Sequence, residues 1–256
     1  MTSFIYSVVV YWVWGGGWLR VNGYHDYAGS SVVHLVGGTC AFWGAMILGE
    51  RYGKAKDREI KAGRRDPNLR KSINFTEGEI VEVLESMNSN YHDALKEYLY
   101  NLSDEFRPYN PAFMILGTLL LWVCWLFFNA GSIPSIEVPR YINAPKVCMV
   151  NIISPAVSGV FCVFIKPRIT NEWSDVNQFD IGTFCNGIIV GLVAVTANCD
   201  TVEPWAAVPI GIIAATMYSY GVKFIHKIHV DDPVEASPLH FSGGSWGTIA
   251  TGFFDV

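Results

Sequence analysis

One thirteen-residue pattern occurs twice in this chain and limits what it can become. Asp26, His34, Gly37 and Gly38 stand at the same spacing as Asp232, His240, Gly243 and Gly244, 206 positions later. Both copies read Asp, seven residues, His, two residues, Gly-Gly, and both lie in mainly apolar surroundings. Each aspartate is expected to open a helix, because its carboxylate can accept from the unpaired N–H groups of a first turn. Pro233 directly after Asp232, and Glu235 three positions after it, fit a helix start with a capping box. With a rise of about 1.5 Å per residue, each imidazole should then lie roughly 12 Å into its helix, one turn before a small-residue patch. Two copies predict one histidine from each half of a repeated membrane protein.

The composition agrees. Of 256 residues 51% are hydrophobic, 14% aromatic and 16% charged, which is too apolar for an ordinary soluble domain. Residues 51–110 hold 11 of the 18 Lys and Arg and 11 of the 23 Asp and Glu, so the rest of the chain is free for long uncharged runs. The net charge of −5 gives no reason to expect a nucleic-acid partner. Cys40, Cys124, Cys148, Cys162, Cys185 and Cys199 lie in or at the ends of apolar runs without metal-ligand spacing. They read as small lipid- or helix-facing side chains, and no metal or cofactor is expected. The N-terminus has no basic region and no small-residue cleavage site, so no cleavable signal peptide is expected.

Seven apolar segments follow: about 4–19, 28–49, 111–132, 147–165, 181–197, 205–225 and 233–256. The first is short for a full crossing, which takes about 20 residues. Assigning alternate connections to the cytoplasm places 15 of the 18 basic residues inside, with the chain start and the 51–110 connection on that side. The two copies of the repeat then run antiparallel, as an inverted repeat would. Within the long connection, a capping box at Thr76–Glu79 and helical spacing through Leu102 predict an amphipathic helical hairpin, either a solvated insertion or a docking module. Asn74 and Asn101 open glycosylation sequons that an inside loop would leave unmodified.

The motifs carry a family resemblance. Val13-Trp14-Gly-Gly-Gly-Trp-Leu, Asp26-Tyr-Ala-Gly followed by Val-Val-His34, and Trp125-Leu-Phe-Phe128-Asn-Ala-Gly-Ser132 resemble the Amt branch of the Amt/Rh ammonium transporters. So do Asn186 through Thr196, Asp231-Asp-Pro-Val, and Leu239-His240 through Trp246-Gly. They occur in family order over nearly the whole chain, interrupted only around 51–107. The resemblance implies an all-α polytopic membrane protein with an inverted-repeat helical bundle, truncated at both ends. Residues 1–50 would hold the end of a fourth helix and a fifth. Residues 51–110 would be a cytoplasmic insertion, and 111–256 would form helices six to ten. It further implies a homotrimer when full length, a multi-pass location in the lipid bilayer of the plasma membrane, and no enzymatic activity.

The same resemblance assigns roles. His34 and His240 would line the pore, passing ammonia and relaying its proton. Trp14 and Ser132 would recruit ammonium, or methylammonium, at the outer mouth. Phe128 would close the pore above the histidines, with Trp125 and Thr196 in its wall. Asp26 and Asp232 would cap their helices and shape the mouths. From the residues alone, a lone histidine on an apolar helix can be a core residue, which two at matching offsets argue against, while Trp14 reads equally as an interfacial aromatic. Phe241 and Glu235 stand where the family pattern has glycine, and Gly29-Ser30 replaces Gly-Gly; a ring at Phe241 would narrow the pore or tilt His240. A sensor on the same scaffold and a non-conducting fragment are the alternatives. A metalloenzyme built on the two histidines lacks a third ligand in the apolar runs.

Overall fold

The computed structural model describes residues 2–55, 106, 110–132, 144–170 and 179–255. The expected hairpin between Thr76 and Leu102, with both sequons, lies outside them. The chain forms two compact units, Met1–Leu48 with Asn110–Val256, and Gly49–Tyr109. In the second unit, the Arg51 guanidinium and Lys54 ammonium stand 5.0 and 4.7 Å from the centre of the Phe106 ring.

Every regular element of the first unit among the described residues is a helix. A wide turn, Thr2–Tyr6, leads into α1 (Ser7–Val13), and α2 is the short Trp18–Val21. A second wide turn, Ser30–Leu35, runs directly into α3 (Val36–Leu48). Then come α4 (Pro111–Ala130), α5 (Ala144–Thr170) and α6 (Ile181–Val195). A 3₁₀ turn, Pro204–Ala206, opens α7 (Ala207–Lys227), and α8 is Ala236–Phe254. Ser30–Leu48, Pro111–Ala130, Ala144–Thr170 and Pro204–Lys227 are long and apolar enough to cross a membrane; α6 is apolar but shorter. These are the expected segments with shifted ends. The first of them is broken, because Gly15–Gly17 interrupt the helix between α1 and α2.

Local rules explain most boundaries. Asn110 caps α4 by accepting from the N–H groups of Ala112 and Phe113, with Pro111 next, where its missing N–H costs nothing. Asp180 caps α6 through the Thr183 N–H and hydroxyl. In α5, Pro155 cannot donate to the carbonyl of Asn151, one turn back. The Trp122 indole N–H from α4 reaches that carbonyl at 2.9 Å. In hydrocarbon a bare carbonyl would cost several kcal/mol, so a break in one helix is closed by its neighbour.

Helices α5, α6, α7 and α8 form the core, around Val150, Ile188, Leu192, Val193, Ile210 and Tyr218. Small residues set its tightness. A Cβ on Gly191 of α6 would fall 2.8 Å from the Pro155 Cα, and one on Gly211 of α7 would fall 2.7 Å from the Ser154 carbonyl oxygen, so backbones meet where side chains would otherwise separate them.

The two repeats meet by the same device, used reciprocally. A Cβ on Gly38, four residues after His34, would strike the backbone nitrogen of Phe241, the residue after His240. A Cβ on Gly244, four residues after His240, would fall 2.7 Å from the backbone nitrogen of Leu35, the residue after His34. Each glycine thus receives the residue that follows the other copy's histidine, as a local two-fold relation requires. Gly244→Val is expected to lower the thermal midpoint of the purified protein by the equivalent of about 1–3 kcal/mol or more, since backbone on both sides cannot yield. Gly252→Val, with nothing within 4 Å of its Cβ position, is the control and should be near neutral. Equal behaviour of the two variants in a detergent melting assay would refute the close approach.

Candidate functional site

The site is built from the turns that start the two repeated helices. Asp26 lies four residues before the wide turn begins, and its carboxylate closes over that turn. Oδ1 accepts from the N–H groups of Gly29 and Ser30 at 2.9 and 2.8 Å; Oδ2 accepts from those of Ser31 and Val32 at 2.8 and 3.0 Å, and from the Ser31 hydroxyl. Asp232 repeats the last part, accepting from the Ser237 N–H at 2.6 Å and its hydroxyl at 2.7 Å. Both carboxylates accept from backbone N–H groups at these helix starts, but the N-cap residues are Gly29 and Glu235, and neither aspartate begins a helix. A left-handed residue intervenes in each copy, so both histidines are the fifth residue of their helical segments. They are one turn deep, short of the expected roughly 12 Å. Pro233 lies in the preceding turn, and Glu235 is no capping-box partner but the N-cap itself, with its side chain turned elsewhere. The serine five residues after each aspartate, Ser31 and Ser237, went unnoticed in the sequence although it recurs at the same offset.

His34 donates its backbone N–H to the Gly29 carbonyl five residues back, at 3.0 Å. Such a widened turn displaces the side chains it carries from regular helical positions. The turn is stitched to the end of α6: the Tyr27 and Ala28 N–H groups donate to the Ala197 and Thr196 carbonyls, and the Ser30 hydroxyl to that of Val193.

Four of the expected residues come together. The His34 and His240 rings stack with centroids 5.2 Å apart and planes 8° apart. His34 also lies 4.9 Å from Trp125, at 17°, and 6.1 Å from Phe128. Trp125 and Phe128 are themselves 5.7 Å apart. Among the described residues, His34 Nε2 and His240 Nδ1 are buried without a hydrogen-bond partner. Phe241 makes no ring contact with either histidine among the described residues and is 47% exposed.

Thr196 stands just past the end of α6, behind the aromatic wall. Its hydroxyl accepts from the Trp125 indole N–H at 3.1 Å and from Asn129 Nδ2 at 3.4 Å, while donating to the Leu192 carbonyl. Asn129 also donates to Asn151 Oδ1 at 2.7 Å. This buried polar cluster fixes the indole that stacks on His34, and nothing in the sequence gives either asparagine that role.

Trp14 and Ser132 are not joined by any hydrogen bond or ring contact among the described residues. Trp14 caps α1, donates its indole N–H to the Asp26 carbonyl at 2.7 Å and is 40% exposed. Ser132 donates to the Phe128 carbonyl one turn back. No group of three or more metal-ligating side chains occurs among the described residues.

The connection before the first wide turn also carries a titratable tie. His25 Nε2 lies 3.2 Å from Asp200 Oδ1, across to the turn that follows α6. That hydrogen bond raises His25 above the usual imidazole value, partial burial opposes it, and the Asp200, Asp255 and Asp26 charges add to the rise.

Comparison with known proteins shows what this helical site is built into. Residues 1–68 and 96–256 match the model of the Ammonium Transporter Family. The chain belongs to the ammonium transporter family. It is 31% identical to ammonium transporter 1 member 3 of Solanum lycopersicum over 99% of this chain and 48% of that protein. It is 32% identical to ammonium transporter Amt2 of Archaeoglobus fulgidus, over 99% of this chain and 46% of that one. Among solved structures it resembles the Sensor Amt Protein, with a TM-score of 0.69, 25% identity and coverage of 99% of this chain and 52% of that one. It also resembles Saccharomyces cerevisiae Mep2, with a TM-score of 0.68, 26% identity and coverage of 98% and 44%. The chain spans about half the length of the curated relatives it matches. Family membership makes it an integral membrane protein and no enzyme.

The His25 tie gives a prediction with a definite sign. A histidine raised by its partner stabilises most below its unfolded value of about 6.5, and the gain is lost as pH rises through the higher folded value. The melting difference between wild type and His25→Gln is expected to be largest near about pH 6 and to fade on the alkaline side. A difference that is constant with pH would assign His25 a packing role only.

Proposed function

We propose that this chain moves ammonium across a membrane by way of the histidine pair. The single observation that carries the reading is the pair of unpartnered, buried ring nitrogens, His34 Nε2 and His240 Nδ1, on rings stacked 5.2 Å apart. A buried polar atom without a partner costs free energy, and a transient small hydrogen-bonding guest removes that cost. Moving bare ammonium through an apolar passage is expensive, because the charge loses its hydration. Giving up the proton at the outer mouth leaves ammonia, which crosses apolar walls readily. Each imidazole nitrogen donates or accepts according to its tautomer, so the stacked pair can carry the proton in parallel.

The remaining residues take roles that their surroundings support. Trp14 has its N–H occupied by Asp26 and its ring half exposed, which leaves a π face for a small cation. Ser132 spends its proton on Phe128 and keeps lone pairs that accept from ammonium. Phe128 shields His34 from the mouth, while Trp125 and Thr196 brace it from behind. Asp26 and Asp232 hold the turns that aim both rings. The full-length protein is a homotrimer in the plasma membrane, with the chain start and the 51–110 insertion inside; methylammonium, which carries the same N–H donors, is a second substrate. The name of the Sensor Amt Protein supports a second reading, in which ammonium binding is reported through the insertion with little flux.

The test is ammonium uptake by yeast cells lacking their own carriers. His34→Ala and His240→Ala are each expected to cut uptake at least about tenfold, whereas Trp14→Ala raises the half-saturating concentration with a smaller effect on the maximal rate. Uptake that survives both histidine changes sinks the pore reading. Absence of uptake, with a cellular response that disappears when 51–107 is deleted, favours the sensor.

A further inference from the structure

The two copies of the repeat bend the chain at the same place by different means. The third residue after the aspartate is Gly29 in the first, with φ 110° and ψ 36°, and Glu235 in the second, with φ 56° and ψ 31°. In both, a helical segment begins at the next residue and the histidine follows five positions after the bend. Glycine enters this left-handed region freely, whereas a residue carrying a Cβ is disfavoured there. At Gly29 no side chain could fit: a Cβ would fall 2.5 Å from Val33 Cγ2 and 3.3 Å from the Trp14 ring.

At Glu235 the side chain is present and captured from three helices. Lys166 Nζ, near the end of α5, donates to both carboxylate oxygens at 2.8 Å. Asn186 of α6 donates to Oε2 at 3.2 Å, to the Val234 carbonyl at 3.3 Å and to the Tyr218 hydroxyl at 3.0 Å. The Tyr218 hydroxyl of α7 donates to Glu235 Oε2, and Lys166 Nζ stands 5.5 Å from the centre of the Tyr218 ring. The Lys166 and Glu235 side chains are only 7% and 16% exposed. The conduction reading uses none of these four residues.

We propose that Glu235 is a positioning residue for His240. Its ion pair with Lys166 holds open the left-handed turn that glycine gives the first copy freely, and so aims the α8 imidazole at His34. The inference rests on the reading of the histidine pair as the conduction site. It also explains why the position tolerates a residue that the backbone disfavours. The anchoring energy of a bidentate, largely buried carboxylate–ammonium pair with two further hydrogen bonds offsets the strain. Removing one partner alone takes from the other, largely buried charge its ion-pair partner here, so the informative variants remove both.

The test uses the full chain in lipid nanodiscs with ¹⁵N-labelled histidine. The His240 ring resonances are assigned by His240→Gln, and ammonium uptake is measured in parallel in carrier-deficient yeast. Glu235→Ala is expected to move the His240 resonances and reduce uptake about tenfold. In a Lys166→Met background, Glu235→Gly is expected to restore both readouts, because glycine supplies the bend without an anchor and no charge is stranded. In the same background Glu235→Ala is expected to stay perturbed. This pair of double variants decides the matter even if the single variant does not accumulate, since neither carries a lone buried charge. If Gly and Ala restore equally, the bend needs no anchor and the proposal fails. If both stay perturbed or unfolded, the carboxylate acts in some other way and the proposal also fails. Wild-type protein without uptake, but with resonances that follow the expected pattern, would sink the conduction reading and leave the positioning role standing.

Discussion

Two helix backbones in direct contact organise this protein. Gly38 lies against the peptide that joins His240 to Phe241, and Gly244 lies against the backbone of Leu35. No other residue type leaves room at either place. Lipid tails are as apolar as the helices, so the drive to associate comes from close packing and not from expulsion of water. The reciprocal contact therefore both holds the two repeats together and sets the separation of the rings one turn earlier. A side chain at either glycine would push the imidazoles out of stacking distance before it touched them.

Around that contact, the polar groups follow the rule that hydrocarbon imposes. The Asn151 carbonyl freed by Pro155 finds the Trp122 indole, each repeat's aspartate binds its own serine, and the Lys166 charge finds Glu235. Six buried side-chain atoms lack a partner among the described residues, on Tyr27, His34, Asn129, Ser158, Asn198 and His240. Only the two histidines face each other as stacked rings. That pairing of an unmet hydrogen-bonding capacity with an aromatic enclosure is the observation on which the proposed passage for a small polar guest rests.

Much of this could be read from the residues. The apolar runs gave the helices to within a few positions, because hydropathy over about twenty residues leaves few choices in a membrane. That the Asp26 and Asp232 carboxylates accept from nearby backbone N–H groups agrees with carboxylate chemistry. Their distance from the helix start was not legible, since it depends on a left-handed residue at position three. Gly29 permits that conformation without requiring it, and Glu235 argues against it. The role of Glu235 was hidden for a second reason: its partners Lys166, Asn186 and Tyr218 lie 69, 49 and 17 residues away, on three other helices. Asn129 and Asn151 escaped notice likewise, as polar residues in apolar helices whose mutual contact is a matter of tertiary packing.

By itself, the sequence determined that this chain is a membrane-embedded helical protein with a duplicated aspartate–histidine–glycine unit. Periodicity, hydropathy and capping are local properties, carried by neighbours along the chain. Tertiary structure alone decided that the two histidine rings lie nearly parallel 5.2 Å apart, and that Trp125, held by Thr196, stacks on His34. It also decided that an ion pair drawn from distant helices shapes the second turn. Those outcomes depend on which backbones can approach most closely, and that is fixed only when the small residues of one helix meet the bulk of another.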